Sequence, residues 1–190
     1  MTLTQRPARL RPWLVWTAAI ALLVVAGVVV RITPAEDIDV DPFIVTGALD
    51  QRLDARSIAV TVSDPRIAGT AVAGGWSAEG TWLVVDVAAE ALVTEADAIL
   101  DHAVLRVGGV EIGASERPAS LKDALLNVGV PRAGSLAFEL PEGLDDQPAV
   151  LELAGDDDTR LDVVVRIPLD LAAVPHGTRA ELRATEWAAS

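Results

Sequence analysis

Residues Leu14 to Val30 run LVWTAAIALLVVAGVVV, 17 positions without a charge, between Arg6, Arg9 and Arg11 on one side and Arg31 on the other. At about 1.5 Å per residue, and with Trp13 added, such a helix reaches roughly 25–27 Å, the short end of what crosses a hydrocarbon core of about 30 Å. Arg11 and Arg31 can snorkel to the headgroups and cover the shortfall, and Trp13 and Trp16 stand where indoles prefer to lie. The expectation is a transmembrane signal anchor over 13–31, inserted in a lipid bilayer. The basic residues 1–12 then stay in the cytoplasm, because the flank beyond the run is acidic (Glu36, Asp37, Asp39, Asp41). Everything downstream is then extracytoplasmic. A cleaved signal peptide shares the basic start and apolar core. Against it stand a longer apolar stretch than the usual 7–15 residues and the absence of a small-x-small site in VVVRITPAED. Ala18, Ala19, Ala21, Ala26 and Gly27 offer small surfaces for helix approach, though no G-x-x-x-G occurs.

Charge divides along the same boundary. Residues 1–31 hold four arginines and no acid, whereas the other 11 basic residues stand against all 28 acidic ones, a net of −17. A domain so acidic is repelled by nucleic acid and by anionic lipid, so neither DNA nor RNA is an expected partner. The chain has no cysteine, which removes lipoprotein anchoring, disulfides, thiol catalysis and cysteine metal sites together. Lys122 is the sole lysine, a usage that fits a high-GC coding bias.

After an acidic, proline-bounded spacer at 32–42, strand signals dominate. Ile58, Val60 and Val62 alternate with Ala59 and Thr61; Leu83, Val85, Val87 and Ala89 oppose Asp86 and Glu90. Ala103, Leu105 and Val107 oppose Val104 and Arg106, and Gly108-Gly109 makes a two-residue turn into Val110-Glu111-Ile112. Leu136, Phe138 and Leu140 oppose Ser135 and Glu139. Leu151 and Leu153 oppose Glu152, and Leu161, Val163, Val165 and Ile167 oppose Asp162 and Arg166. Period-two alternation in seven or eight short segments predicts antiparallel sheets with one wet face each. The fold class is mainly β: an immunoglobulin-like antiparallel β-sandwich over 43–171 behind the N-terminal helix. Ser120-Leu121-Lys122-Asp123 is a capping pattern that predicts one or two helical turns before Gly129. Leu92 to Leu105 also fits a helical face. The tail, 172–190, carries a similar pattern at Thr178–Glu181, and a frayed helix or disorder is expected there.

The order GTWLVVDV, AVLRVGGVEIGASERPASL, GVPRAGSLAFELP, RLDVVVRIPLDL resembles a group of small, high-GC Gram-positive bacterial proteins that are membrane- or lipid-anchored. They carry an immunoglobulin-like extracytoplasmic domain of unassigned function and are sometimes labelled telomeric-repeat-binding-factor-like. The resemblance covers roughly Phe43 to Leu171 and the anchor. It implies a fold and an outside location, and carries no catalytic residues.

No catalytic constellation is legible, and the chain is expected not to be an enzyme. His102 falls on the outward strand face, His176 lies before the tail, and no G-x-S-x-G occurs. Asp156, Asp157, Asp158 and Asp162, with Glu152 nearby, supply oxygens of the kind Ca²⁺ takes, yet their spacing departs from an EF-hand loop and the glycine is missing. A solvated hairpin turn is the simpler reading, so no metal or cofactor is assigned. Two loop residues stand out as possible contacts. Trp76 sits in the glycine-rich AVAGGWSAEG, where packing across a sandwich end competes with ligand stacking. Arg117 sits in Ser115–Pro118, where an ion pair with Glu116 or a neighbouring acid competes with partner binding. The functional expectation is a tethered, non-catalytic module that contacts another envelope or membrane protein. The alternative is a sensor of Ca²⁺, sugar or cell-wall fragments; an extracytoplasmic hydrolase is least supported.

Overall fold

The computed structural model divides into two compact units, Met1–Val40 and Asp41–Ser190. It describes Pro42 to Ala188 except 94–97, 123, 157–158 and 160–162, together with Trp13, Trp16, Ala19, Ala21, Leu22, Leu23 and Ala26. In the first unit those seven residues are helical, with Trp13, Trp16, Leu22 and Leu23 exposed. No helix among the described residues is long and apolar enough to cross a membrane. The rest of the anchor assigned to 13–31, and the spacer up to Asp41, lie outside the described residues.

The second unit is a β-sandwich. Its strands are β1 (Phe43–Thr46), β2 (Leu53–Asp54), β3 (Ile58–Ala73), β4 (Trp76–Ala91), β5 (His102–Val107) and β6 (Val110–Gly113). Then follow β7 (Arg132–Leu140), β8 (Pro148–Ala154), β9 (Val163–Asp170), a 3-10 turn at Leu171–Ala173, β10 (His176–Gly177), β11 (Ala180–Glu181) and β12 (Glu186–Trp187). One sheet runs β1-β9-β8-β5-β6. The other is built on β3-β4-β7, with β2, β10 and β11 laid along β3 and β12 along β7. The trio β5-β8-β9 follows the C-F-G order of an immunoglobulin domain and β3-β4-β7 the A-B-E order.

The residues that alternate inward meet between the sheets. Ile58, Val60, Leu83, Val85, Leu105, Leu136, Phe138, Leu151, Val165 and Ile167 form one core cluster, each buried. A fully buried side chain of this size stabilises by about 1.5–3 kcal/mol, which explains why no cross-link is needed in a unit of this length. Gly108 (φ +57°) and Gly109 (φ +80°) both occupy the left-handed region that a tight hairpin between β5 and β6 demands, and Val107 pairs with Val110 across it.

Three expectations are corrected. Where the Ser120–Asp123 segment is described, at Ser120 to Lys122, it is a turn, not a helix: the Lys122 N–H donates to Ser120 Oγ (3.3 Å) and the Ala124 N–H to the Leu121 carbonyl (3.1 Å), while Asp123 lies outside the described residues. The following residues are held by isolated bridges, Ile99–Leu125, Ala91–Val128 and Asn127–Val130, which compete successfully with so short a helix. The helical alternative for Leu92 to Leu105 also fails where the residues are described, because His102–Val107 is strand β5 with Ala103 and Leu105 in the core. Finally, the tail from His176 to Trp187 carries short paired strands in place of the expected frayed helix or disorder. β10 and β11 pair in parallel with Ile67–Ala68 and Ala71–Val72, and β12 pairs antiparallel with Arg132–Ala133.

The tail matters because the outer face of β3-β4-β7 is not simply wet. Trp82, Val84, Ala137, Ala68 and Ala71 form a second cluster there with Ala180 and Leu182 of the tail. Trp76 and Trp82 are six residues apart on one strand, about 20 Å if fully extended. Their ring centroids are nevertheless 5.7 Å apart in a T-shaped contact, so β4, which stays paired with β3 on both sides, bends at the register shift opposite Ala68–Thr70. Gly80 (φ +148°) is the residue whose backbone permits this, and a Cβ there would approach Trp82 Nε1 to 3.1 Å.

Candidate functional site

Three groups of polar side chains on the outer faces bear on function. On the five-stranded sheet, Glu152 is 3% exposed and bridged by Arg106 Nε (2.7 Å) and Arg166 Nε (2.6 Å); Arg106 also pairs with Glu111. Burial pushes the Glu152 carboxyl up, but the hydrogen bonds and charges of Arg106 and Arg166 outweigh this and hold it below the usual carboxylate range. His102 lies on this face as expected, with Nε2 3.9 Å from Glu152. Every charge here is spent on a neighbour, so the group cross-braces β5, β8 and β9 rather than presenting a reactive centre.

A second group latches the tail. Asp86 accepts from Ser135 Oγ (2.6 Å) and from Arg66 Nη1 (3.0 Å), and Arg66 Nη2 donates to the Glu181 carbonyl (2.8 Å). Buried Ser135 accepts from the Arg183 N–H on its hydroxyl (2.7 Å) and donates its own N–H to the Arg183 carbonyl (3.2 Å).

The third group lines a cleft of about 500 Å³ between residues 116–122 with Ala124, the start of β7 and the tail. Lys122, Arg132, Ser120, Glu116 and Thr185 face it. Lys122 reaches Glu116 (3.2 Å) and Asp101 (4.0 Å), so its charge is compensated. Arg132 has no carboxylate partner among the described residues. Its guanidinium carbon lies 4.8 Å from the Trp187 ring centroid, and Nη1 donates to the Leu125 carbonyl (3.0 Å). Arg132 Nε and Thr185 Oγ1 are buried without a hydrogen-bond partner among the described residues. Trp187 and Leu125, on either side of Arg132, are 50% and 58% exposed, and Val128 and Val130 of the adjoining turn are exposed as well.

Trp76 is half-buried against Trp82, so its ring serves the outer-face cluster. Arg117 is exposed, and its Nη2 lies 3.4 Å from Glu139 Oε2; Glu116, the other acid considered for it, is engaged with Lys122. Glu139 is the cross-strand partner of Trp82, so Arg117 and Trp76 are joined through one β4–β7 pair. Among the described residues no three His, Asp or Glu are grouped to hold a metal. Asp157, Asp158 and Asp162 of the acidic turn lie outside the described residues. The cleft itself was missed from sequence: Lys122, Arg132 and Thr185 come from three distant segments, and of these only Lys122 was marked, as the sole lysine and within the Ser120–Asp123 pattern.

Comparison with known proteins adds little. No protein-family model matches the chain, and no curated protein matches it. Two solved structures align. An uncharacterized beta-sandwich protein from Clostridium difficile 630 aligns with 66% of this chain and 95% of its own at 7% identity (TM-score 0.45). The secreted protein MPT63 from Mycobacterium tuberculosis aligns with 68% of this chain and 99% of its own at 16% identity (TM-score 0.46).

Proposed function

We propose that this chain is a membrane-tethered, extracytoplasmic interaction module that contacts another envelope or membrane protein and performs no catalysis. The observation that carries the reading is the surface at Arg132. A half-buried arginine with no acid partner among the described residues, lying over an exposed tryptophan ring and flanked by exposed aliphatic side chains, has the composition of a protein-binding hot spot. Strand pairing on both sides of Arg132 makes that surface rigid. The tether is the uncharged run Leu14–Val30 between Arg11 and Arg31, and the arginine excess before it sets the orientation.

Two measurements test this. External protease on intact cells should digest the domain while residues 1–12 remain protected; recovery of the chain in the cytosolic fraction would defeat the tether. A photo-crosslinker at Trp187 should give a discrete protein adduct in intact cells, and one at Asp54, remote in sequence and exposed, should not. Absence of an adduct at every exposed position tried would defeat the interaction reading. A second reading, a small-ligand sensor, is favoured by the cleft volume of about 500 Å³, which lies within the range of ligand pockets. Thermal shift of the full chain with Ca²⁺, sugars and cell-wall fragments tests it, because a ligand at 100 times its Kd adds about 2.7 kcal/mol.

A further inference from the structure

The geometry points to a specific occupant for the cleft at Arg132: a carboxylate on a short peptide segment of the protein partner, flanked by apolar side chains. This deepens the interaction-module reading and rests on it.

Three observations converge. First, Arg66, Arg132 and Arg166 are the half-buried arginines among the described residues, and only Arg132 lacks an acid; Arg66 meets Asp86 and Arg166 meets Glu152. In a chain with 28 acidic residues, an uncompensated guanidinium at a cleft is a departure that a carboxylate from outside would correct. Second, the Arg132 guanidinium lies over the Trp187 ring and, among the described residues, makes a single hydrogen bond, from Nη1 to the Leu125 carbonyl, so donors remain for an incoming acceptor. A fork already held against a neighbouring ring and a backbone carbonyl loses little rotamer freedom on binding. Third, the side chains beside it are large, apolar and exposed: Leu125 and Trp187 give a partner's apolar residues a surface to cover.

The opposite wall of the cleft decides between anions. Lys122 is screened by Glu116 and Asp101, so that side repels a second negative charge rather than attracting one. A phosphate dianion or an anionic lipid headgroup would face those carboxylates and would leave Leu125 and Trp187 uncovered. A single carboxylate on an apolar segment meets both conditions. Ser120 Oγ accepts the Lys122 N–H and keeps its own proton to donate to such a group.

The test uses the full chain in nanodiscs, with N-acetyl-Leu-Leu-Asp amide as the probe and N-acetyl-Leu-Leu-Asn amide as its neutral match. Isotope-edited NMR should show shifts at Arg132, Ser120, Thr185 and the Trp187 indole with the Asp peptide. The Asn peptide should bind at least tenfold more weakly, about 1.4 kcal/mol. Arg132→Gln should erase the difference between the two peptides. Should that variant lose its fold, the Asp/Asn comparison on the unaltered chain still decides the matter. Equal binding of both peptides, shifts confined to other faces, or inorganic phosphate or phosphatidylglycerol vesicles matching the Asp peptide would each overturn the assignment. A crosslinked partner at Trp187 alongside any of those results would leave the interaction module standing and remove only its carboxylate anchor.

Discussion

Replacing Leu182 with alanine isolates what the tail contributes. Leu182 is 5% exposed and belongs to the outer-face cluster with Trp82, Val84, Ala137 and Ala180; its N–H donates to the Val72 carbonyl (2.7 Å). A Leu-to-Ala change at a buried site costs about 2–5 kcal/mol, and a short segment that can settle inward belongs at the lower end, about 2–3 kcal/mol. The polar latch at Asp86, Ser135 and Arg66 is untouched, so the tail should remain docked but open more often. With a urea slope of roughly 2 kcal/mol per molar, the unfolding midpoint should fall by about 1 M. Native-state hydrogen exchange distinguishes local from global loosening. The amides of residue 182 and Ser135 should lose protection beyond the global drop, while Leu105 and Leu151, deep in the other cluster, should track it. Unchanged protection at residues 182 and 135, with the midpoint held, would refute the claim that Leu182 seals that face.

Three further outcomes are expected. Glu152→Gln should destabilise the chain at pH 7 by about 2–3 kcal/mol, less than a fully buried pair would lose because Arg106 and Arg166 can rehydrate. Since the folded-state Glu152 pKa is depressed, its contribution is complete above the ordinary Glu range near 4.3 and is lost as pH falls below it; urea melts between pH 7 and 3.5 should therefore be flatter for the variant. Gly134→Ala puts a Cβ 2.9 Å from Thr185 Oγ1 and 3.3 Å from Leu121 Cβ, so it should cost about 1–3 kcal/mol in denaturant melts, whereas Gly113→Ala meets nothing within 4 Å and should be near neutral. In the β5–β6 hairpin, Gly108→Asn should lower the melting temperature more than Gly109→Asn, because a Cβ at 108 lies 2.8 Å from Leu144 Cδ2 while 109 is open.

Alternation made most of the sandwich readable, since Leu83, Val85 and Val87, or Leu136, Phe138 and Leu140, can be buried together on one face only as strands. The Gly-Gly turn was readable because few residue pairs tolerate two successive positive φ angles. Less was readable where burial comes from elsewhere. Trp82 and Val84 looked like wet-face positions, although the continuous run Trp82–Val85 does carry the signature of a strand covered on both sides. The cover is the tail, whose two-residue strands are too short to show any period. The cleft escaped for a related reason: Arg132 and Thr185 meet through pairing across 53 positions of chain, and no local pattern encodes a long-range contact.

The way the last residues flank β3 and β7 has a further consequence. Rows of unpaired N–H and C=O groups invite other chains to add as extra strands, and here β10, β11 and β12 occupy parts of both such rows on one sheet. Strand donation from outside is thereby steered to the opposite sheet, whose rims are the four-residue β1 and β6. Trimming the C-terminus would unveil fresh templating surface, turning a well-behaved domain into one prone to self-association.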